Sequence, residues 1–318
     1  MLEKKLPRIA VIIPCLNEEK TIGKVVRDFR EQLADAAIYV VDNNSSDRTV
    51  SEAIEAGALI IAERRRGKGY AIKSAFQRIQ ADIYVMVDGD DTYPADAVHK
   101  LVEPILEGTA DMVVGSRLAV DNSQFRRLNL LGNKIFLYLV NATFGTQLSD
   151  VLSGFRTMSH AFVRGLPLFK TGFEVEVEMT LKALERGYLL MELPIVLGRR
   201  PEGSYSKIRH LQDGFRILWT IASLLRDYKP LTVFGTTGLV FVGTGLVPGF
   251  VAVDEYVRTG LVLHLPSAIL AVGMVLAGTL CGTVGLILHT INHRFRELDS
   301  LVRALSASPE TAPERLQE

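Results

Sequence analysis

Between Leu231 and Val253 the chain carries no Asp, Glu, Lys or Arg, and a second run, Leu261 to Ile291, has only His264 and His289 as ionisable groups. As helices rising about 1.5 Å per residue, both runs reach across a bilayer core of about 30 Å. The alternative is a helical hairpin buried in a soluble protein, and two uncharged runs of this length disfavour it. Gly278-Thr279-Leu280-Cys281-Gly282 has the small-xxx-small spacing of closely packed membrane helices. Arg226 and Lys229 precede the first run, and His293, Arg294 and Arg296 follow the second. Because Lys and Arg mark the cytoplasmic side, both ends are expected inside and the Asp254–Arg258 turn outside. At the start of the chain, the apolar run that closes at Pro14 is too short for a signal peptide and fits a first strand. The N-terminal half is therefore expected in the cytoplasm.

The formal net charge is zero, from 36 basic and 36 acidic residues, so there is no electrostatic case for nucleic acid. Mean hydropathy is +0.20, and the excess comes from the two uncharged runs. Cys15 and Cys281 lie far apart in apolar surroundings and read as packing residues.

Ahead of the apolar runs, strand and helix patterns alternate. Strands are predicted at Ile9–Ile13, Ile38–Val41, Leu59–Ala62, Ile83–Val87 and Met112–Val114. Between them lie helices from Asn17 to Leu33 (Glu18 and Glu19 in the first turn), Asp47 to Gly57, Gly69 to Ile79 and Pro94 to Leu106. Such alternation predicts an α/β fold with a mostly parallel, doubly wound sheet. The rhythm then breaks. Leu128–Phe144 and Phe173–Arg186 read as helices. Leu189–Val196, interrupted by Pro194, reads as an edge strand. Gly198–Lys207 is basic and loop-like. Ile208–Tyr228 reads as a helix with Ile208, Leu211, Phe215 and Trp219 on one face, suited to a membrane interface; the alternative is an ordinary surface helix facing a core.

Four predicted strands end in polar segments, at the edge where open α/β sheets bind ligands. These are Pro14-Cys15-Leu16-Asn17-Glu18, Asp42-Asn43-Asn44-Ser45-Ser46-Asp47, Arg64-Arg65-Arg66-Gly67-Lys68-Gly69 and Asp88-Gly89-Asp90-Asp91. The third puts cations and flexible glycines before a helix N-terminus, where an anion is welcome. In the fourth, Asp88 and Asp90 can face one point and suit a divalent cation whose other ligands are waters and phosphates. Each segment alone is also an ordinary helix cap, and capping the Pro94 helix is the expected job of Asp91. Together they compose a cleft for a base, a ribose, a diphosphate and a bridging metal.

Ile12-Ile13-Pro14-Cys15-Leu16-Asn17-Glu18, Val41-Asp42-Asn43-Asn44-Ser45-Ser46-Asp47-Arg48-Thr49 and Asp88-Gly89-Asp90 resemble the signature of family 2, GT-A-fold glycosyltransferases. Gly115-Ser116-Arg117, Ser153-Gly154-Phe155-Arg156, Glu192-Leu193-Pro194-Ile195 and Arg200-Pro201-Glu202-Gly203-Ser204-Tyr205-Ser206-Lys207 resemble the dolichol-phosphate-mannose synthase-like, or polyprenyl-phosphate glycosyltransferase, branch. The resemblance implies residues by position. Pro14, Asn17, Glu18, Asp42, Lys68 and Asp88 would bind the nucleotide sugar, and Asp88 and Asp90 would hold Mg²⁺ or Mn²⁺. Asp90, Arg117 and Arg156 would serve catalysis. Arg126, Arg127, Arg156, Arg200, Ser206 and Lys207 would meet the acceptor phosphate. Asn43 and Thr92 depart from the family pattern, which often has Asp at the first and Gln or Ser at the second.

The resemblance implies an inverting, metal-dependent transfer of a hexose from a nucleotide sugar of UDP-glucose, UDP-GlcNAc or GDP-mannose type. The acceptor would be a polyprenyl phosphate, undecaprenyl or dolichyl, at the cytoplasmic face of the inner membrane. The expected organisation is a GT-A domain over 1–207, an interfacial helix over 208–229, a transmembrane hairpin over 230–293 and a disordered cytoplasmic tail over 294–318. The lipid bilayer is thus an expected partner, and a homo-oligomer is compatible with the sequence. Two other readings are a polysaccharide synthase and a catalytically silent membrane scaffold. The Gln-x-x-Arg-Trp motif of the synthases is absent, since Gln212, Arg216 and Trp219 are wrongly spaced.

Overall fold

The computed structural model describes residues 7–117, residues 137–198 except 139 and 143, and residues 222–307 except 224 and 225. The chain divides into two compact units, residues 1–221 and 222–318.

The first unit is built on β1 (Ile9–Cys15), α1 (Ile22–Gln32), β2 (Ala37–Asp42), α2 (Thr49–Glu55), β3 (Leu59–Ala62), α3 (Lys68–Arg78) and β4 (Ile83–Met86). A 3₁₀ turn (Ala95–Ala97) leads into α4 (Val98–Leu106), followed by β5 (Met112–Arg117), β6 (Arg156–Ser159), α5 (His160–Gly165), α6 (Val175–Glu185) and β7 (Leu190–Ile195). The sheet has seven strands in the order β3-β2-β1-β4-β6-β5-β7. Every neighbouring pair is parallel except those of β6, which runs antiparallel between β4 and β5. β7 forms an edge, as its Pro194 requires, and pairs Pro194 with Ser116.

Burial on both faces explains the continuous apolar strands. In β1, Val11, Ile13 and Cys15 join the core beneath α1 and α4, while Ala10 and Ile12 join the core beneath α3 and α6. α1 buries Ile22, Val25, Val26 and Phe29, the spacing of one helix face. The helix starts later than expected. Glu18 lies in the preceding turn, where its carbonyl accepts the Thr21 and Ile22 amides, so neither Glu18 nor Glu19 reaches the first helical turn. β6 was not expected at all. Its four residues are mostly polar, too short to show a period of two, and held by strands on both sides.

In the second unit, α7 (Pro230–Thr259) and α8 (Leu265–Ala307) form a hairpin. Gly260, at φ +72°, ends α7 in the left-handed region. Glycines set the closeness of the pair. A Cβ on Gly238 would stand 2.6 Å from the Gly278 carbonyl oxygen, and one on Gly285 would stand 2.9 Å from Phe234 Cβ. Hydroxyls of Thr236, Thr237 and Thr244 return to carbonyls one turn back. Pro230–Thr259 and Leu265–Phe295 have mean hydropathies of 1.7 and 2.1, and only 17% of the most apolar window of each is buried. Leu239, Phe250, Leu276 and Leu280 face outward. Both helices are long and apolar enough to cross a membrane, and most of the apolar window of each is not buried. The tail expected to be disordered from residue 294 instead continues α8 as helix to Ala307, and the Leu128–Phe144 and Ile208–Tyr228 helices and the residues from 308 lie mostly or wholly outside the described ones.

Candidate active site

The loops after β1 and β2 lock together because the strands pair in register, with Pro14 opposite Val41 and Cys15 opposite Asp42. Asn17 takes φ +53°, donates its amide to Ser45 Oγ at 3.0 Å and accepts the Ser46 amide on Oδ1 at 2.8 Å. The Glu18 amide donates to Thr49 Oγ1 at 2.8 Å, and Asp42 Oδ1 accepts the Ser45 amide at 3.1 Å. Pro14, Asn17, Glu18 and Asp42 are thus brought to one corner of the carboxyl edge. Asn17, Asn44 and Asp91, the only non-glycine residues with positive φ among the described ones, follow β1, β2 and β4. Such backbone is costly, and it concentrates where ligands are held.

Asn43 performs a task the sequence did not reveal. It is 4% exposed. Its Nδ2 donates to the Glu63 and Arg65 carbonyls at 3.3 and 2.6 Å, and its Oδ1 accepts the Gly67 amide at 2.6 Å. It therefore pins the Arg64–Gly69 loop to the β2 loop. Within that loop Arg65 Nε reaches Glu63 Oε1 at 2.9 Å, and this pairing holds the Glu63 carboxyl at about 2, below its ordinary 4.5.

The acidic turn follows β4. A Cβ on Gly89 would stand 2.6 Å from Cys15 Sγ, so only glycine lets the turn lie against the buried thiol. Asp90 is 9% exposed and accepts the Thr92 hydroxyl on Oδ1 at 2.6 Å. Asp91 does not cap the following helix. Its carboxylate takes the Lys24 ammonium at 2.8 Å, and no side chain caps the 3₁₀ turn, because Asp91 is in the left-handed region and points back to α1.

Asp88 Oδ1 meets Lys68 Nζ at 2.5 Å, and the same ammonium meets Glu176 Oε1 at 2.5 Å. Burial alone would lower Lys68, but Asp88 and then Glu176 hold it protonated above its ordinary value. Burial raises the Glu176 carboxyl, and the Lys68 charge opposes that rise. Gly154 presses on the same point, since a Cβ there would overlap the Asp88 carboxylate. The Gly154 amide donates to Tyr93 Oη at 2.9 Å, and the Ser153 hydroxyl donates to the Gly115 carbonyl at 2.6 Å. The motif around Gly154 thus braces the acidic turn. Glu176 and Tyr93 lie in no sequence motif that marks them as site residues. The only sequence signal was a cluster of carboxylates at the start of α6.

The arginines divide. Arg117 ends β5 and grips Asp150 through two bonds, Nε to Oδ2 at 2.6 Å and Nη2 to Oδ1 at 2.8 Å. Burial raises Asp150, but these bonds hold it below the ordinary carboxylate range. Part of the Arg117 side chain, 30%, stays exposed. Arg156 corrects the expectation. It is fully buried, and its guanidinium donates to the Ser153 and Val151 carbonyls at 2.9 and 2.7 Å and to Thr180 Oγ1 at 2.9 Å. From there it cross-braces β6, α6 and the loop before Gly154, with no exposed surface of its own. Arg126, Arg127, Arg200, Ser206 and Lys207 lie outside the described residues.

Asp88 and Asp90 fit a divalent cation in part. They offer hard carboxylate oxygens at one turn, and no group of three or more His, Cys, Asp or Glu forms a metal cluster among the described residues. A cation here would complete its shell with diphosphate oxygens and water.

A mostly parallel sheet with carboxylates, an ammonium and a paired arginine at its carboxyl edge has the layout of an α/β ligand-binding site. The model of glycosyl transferase family 2 matches residues 10–166. Glycosyltransferase AglJ of Haloferax volcanii is 32% identical over 273 residues, covering 85% of this chain and 89% of that protein. The dolichyl-phosphate hexose transferase of the same organism is 30% identical over 196 residues, 61% of this chain and 85% of that protein. Glucosyl-3-phosphoglycerate synthase of Mycobacterium tuberculosis, solved with Mn²⁺ and UDP-glucose, superposes with a TM-score of 0.57 at 22% identity, covering 70% of this chain and 79% of that one. At that identity the likeness speaks for the fold, which is GT-A. The chain belongs to glycosyl transferase family 2 and is a hexosyltransferase, with a dolichyl-phosphate hexose transferase among its relatives.

Proposed function

We propose that the enzyme moves a hexose from a nucleoside-diphosphate sugar to a polyprenyl phosphate at the cytoplasmic face of a membrane, with inversion at the anomeric carbon. The observation that carries this reading is the Lys68–Asp88 pair at the carboxyl edge, with Asp90 in the same turn and Arg117 at the end of β5, in a chain that also bears two bilayer-length apolar helices. The dolichyl-phosphate hexose transferase among its relatives supports the acceptor class.

Pro14, Asn17, Glu18 and Asp42 line the corner suited to the nucleoside. Asp88 and Asp90 would hold Mg²⁺ or Mn²⁺, whose charge offsets that developing on the leaving diphosphate. Lys68, the first residue of α3, adds a cation at a helix N-terminus beside Asp88. Arg117, fixed by Asp150, presents its exposed part from the end of β5. The acceptor is a phosphate monoester with a second pKa near ~6, so it is largely ionised and needs positioning more than a general base. Its oxygen forms the new bond to the anomeric carbon as the bond to the diphosphate breaks, and an α-linked donor gives a β-linked lipid phosphate sugar. Arg126, Arg127, Arg200, Ser206 and Lys207 are the proposed acceptor contacts.

The proposed layout is a catalytic domain over 1–207, an interfacial helix over 208–229 and a membrane hairpin over 230–293, with both termini cytoplasmic. Arg226 and Lys229 before α7, and His293 and Arg294 after the second apolar run, support that orientation.

The test is transfer by purified protein from a panel of UDP- and GDP-hexoses to undecaprenyl and dolichyl phosphate, reading out the lipid product. One lipid-linked hexose is expected, lost in EDTA and restored by Mg²⁺ or Mn²⁺. Asp90→Ala should fold and be inactive. Near-normal turnover by that variant would sink the metal assignment, and no product with any pair would sink the function.

A further inference from the structure

Glu176 is a costly residue. Its side chain is 3% exposed, its Oε1 takes Lys68, and its Oε2 is buried with no hydrogen-bond partner. A carboxylate in such a place destabilises the fold unless its charge is compensated. The compensation is Lys68, yet Lys68 is shared with Asp88, whose side chain is 30% exposed. One ammonium therefore stands between an inward carboxylate on α6 and an outward carboxylate after β4. Arg156, buried against Thr180 on the same helix, adds a second cation behind Glu176.

We propose that Glu176 is a positioning residue that keeps Lys68 from competing with a divalent cation at Asp88. This rests on the reading of Asp88 and Asp90 as metal ligands. When a dication arrives, the ammonium and the metal repel each other across a site with little water to screen them. Glu176 retains Lys68, and its second oxygen can accept the N–H that Asp88 gives up. Lys68 stays at the head of α3 as a cation for the diphosphate rather than being expelled or pressed onto Asp88. Without the Glu176 charge, Asp88 is the only anion bonded to Lys68. The ammonium then holds Asp88 harder, and the metal loses a nearby negative charge. Both effects weaken metal binding.

The test is a Mn²⁺ titration of the full chain in detergent, following the paramagnetic resonance signal of free Mn²⁺, at saturating UDP and in parallel GDP. The proteins are wild type, Glu176→Gln and the double variant Lys68→Met with Glu176→Gln, each checked by circular dichroism. Glu176→Gln should weaken Mn²⁺ binding about tenfold or more, the sign expected when a unit charge a few ångströms away is removed. The double variant, which removes the competing ammonium with its counter-charge, should return to within about threefold of wild type. A purely packing role would lower thermal stability in Glu176→Gln and leave Mn²⁺ affinity alone. That result overturns the inference without touching the proposed function. If Glu176→Gln does not fold, the double variant decides, and failure of that variant to bind Mn²⁺ overturns the inference. Absence of Mn²⁺ binding by the wild type overturns the metal reading and the inference with it.

Discussion

Asn43 Oδ1 accepts the Gly67 amide at 2.6 Å while its Nδ2 donates to the Arg65 carbonyl at 2.6 Å. This amide spans two strand-end loops and needs both a donor and an acceptor. An aspartate in its place has no donor when ionised. Asn43→Asp should leave a buried carboxylate facing two carbonyls and cost about 1–3 kcal/mol or more of stability. Urea unfolding, with nucleoside diphosphate affinity measured alongside, checks it. Both should fall, and an unchanged midpoint would contradict the assigned role.

Gly154 lies against Asp88 so closely that a methyl group has no room. Gly154→Ala should push the carboxylate off its position and lower turnover by about 100-fold, the scale of an ångström-sized misplacement. Circular dichroism should show the sheet retained. Full activity in the folded variant would show that Asp88 tolerates displacement.

Arg117 and Asp150 form a largely buried, two-bond pair, with Asp150 at 8% side-chain exposure. Asp150→Asn should release Arg117 and lower kcat while the protein remains membrane-bound. Breaking a fully buried pair costs about 3–5 kcal/mol, and the partial exposure of Arg117 places this one below that range. Transfer assays with denaturant unfolding separate the two effects.

Arg65 holds Glu63 at about 2 in the folded protein, against an ordinary 4.5. A lowered carboxylate stabilises fully above its unfolded value and loses that contribution as pH falls through the folded one. Stability should therefore drop between about pH 4.5 and pH 2, and Glu63→Gln should flatten that limb while being less stable at neutral pH. Denaturation midpoints measured across that range check the sign.

Gly238 and Gly278 meet where α7 and α8 touch. Gly278→Leu should separate the hairpin, lowering the melting temperature in detergent and the yield in membranes. Gly273→Leu, with nothing within 4 Å of a Cβ, should be tolerated.

The apolar strands, their alternation with helices and the two uncharged runs were determined by the chain alone. Burial on both faces of a parallel sheet demands continuous apolar strands, and a bilayer demands length without charge. The edge strand announced itself through Pro194, and the acidic turn through the abrupt change from Val87 to Asp88. Tertiary structure decided the rest. β6 carries no periodic signal and exists because β4 and β5 hold it on both sides. Arg156 and Lys68 are both cations near a glycine, and nothing local separates them. Only packing shows that Arg156 is sealed among carbonyls while Lys68 bridges Asp88 and Glu176. Asp91 turned to Lys24, and Asn43 to two loops, for the same reason. A polar side chain's partner is set by which strand end lies beside it, and that is a property of the folded sheet.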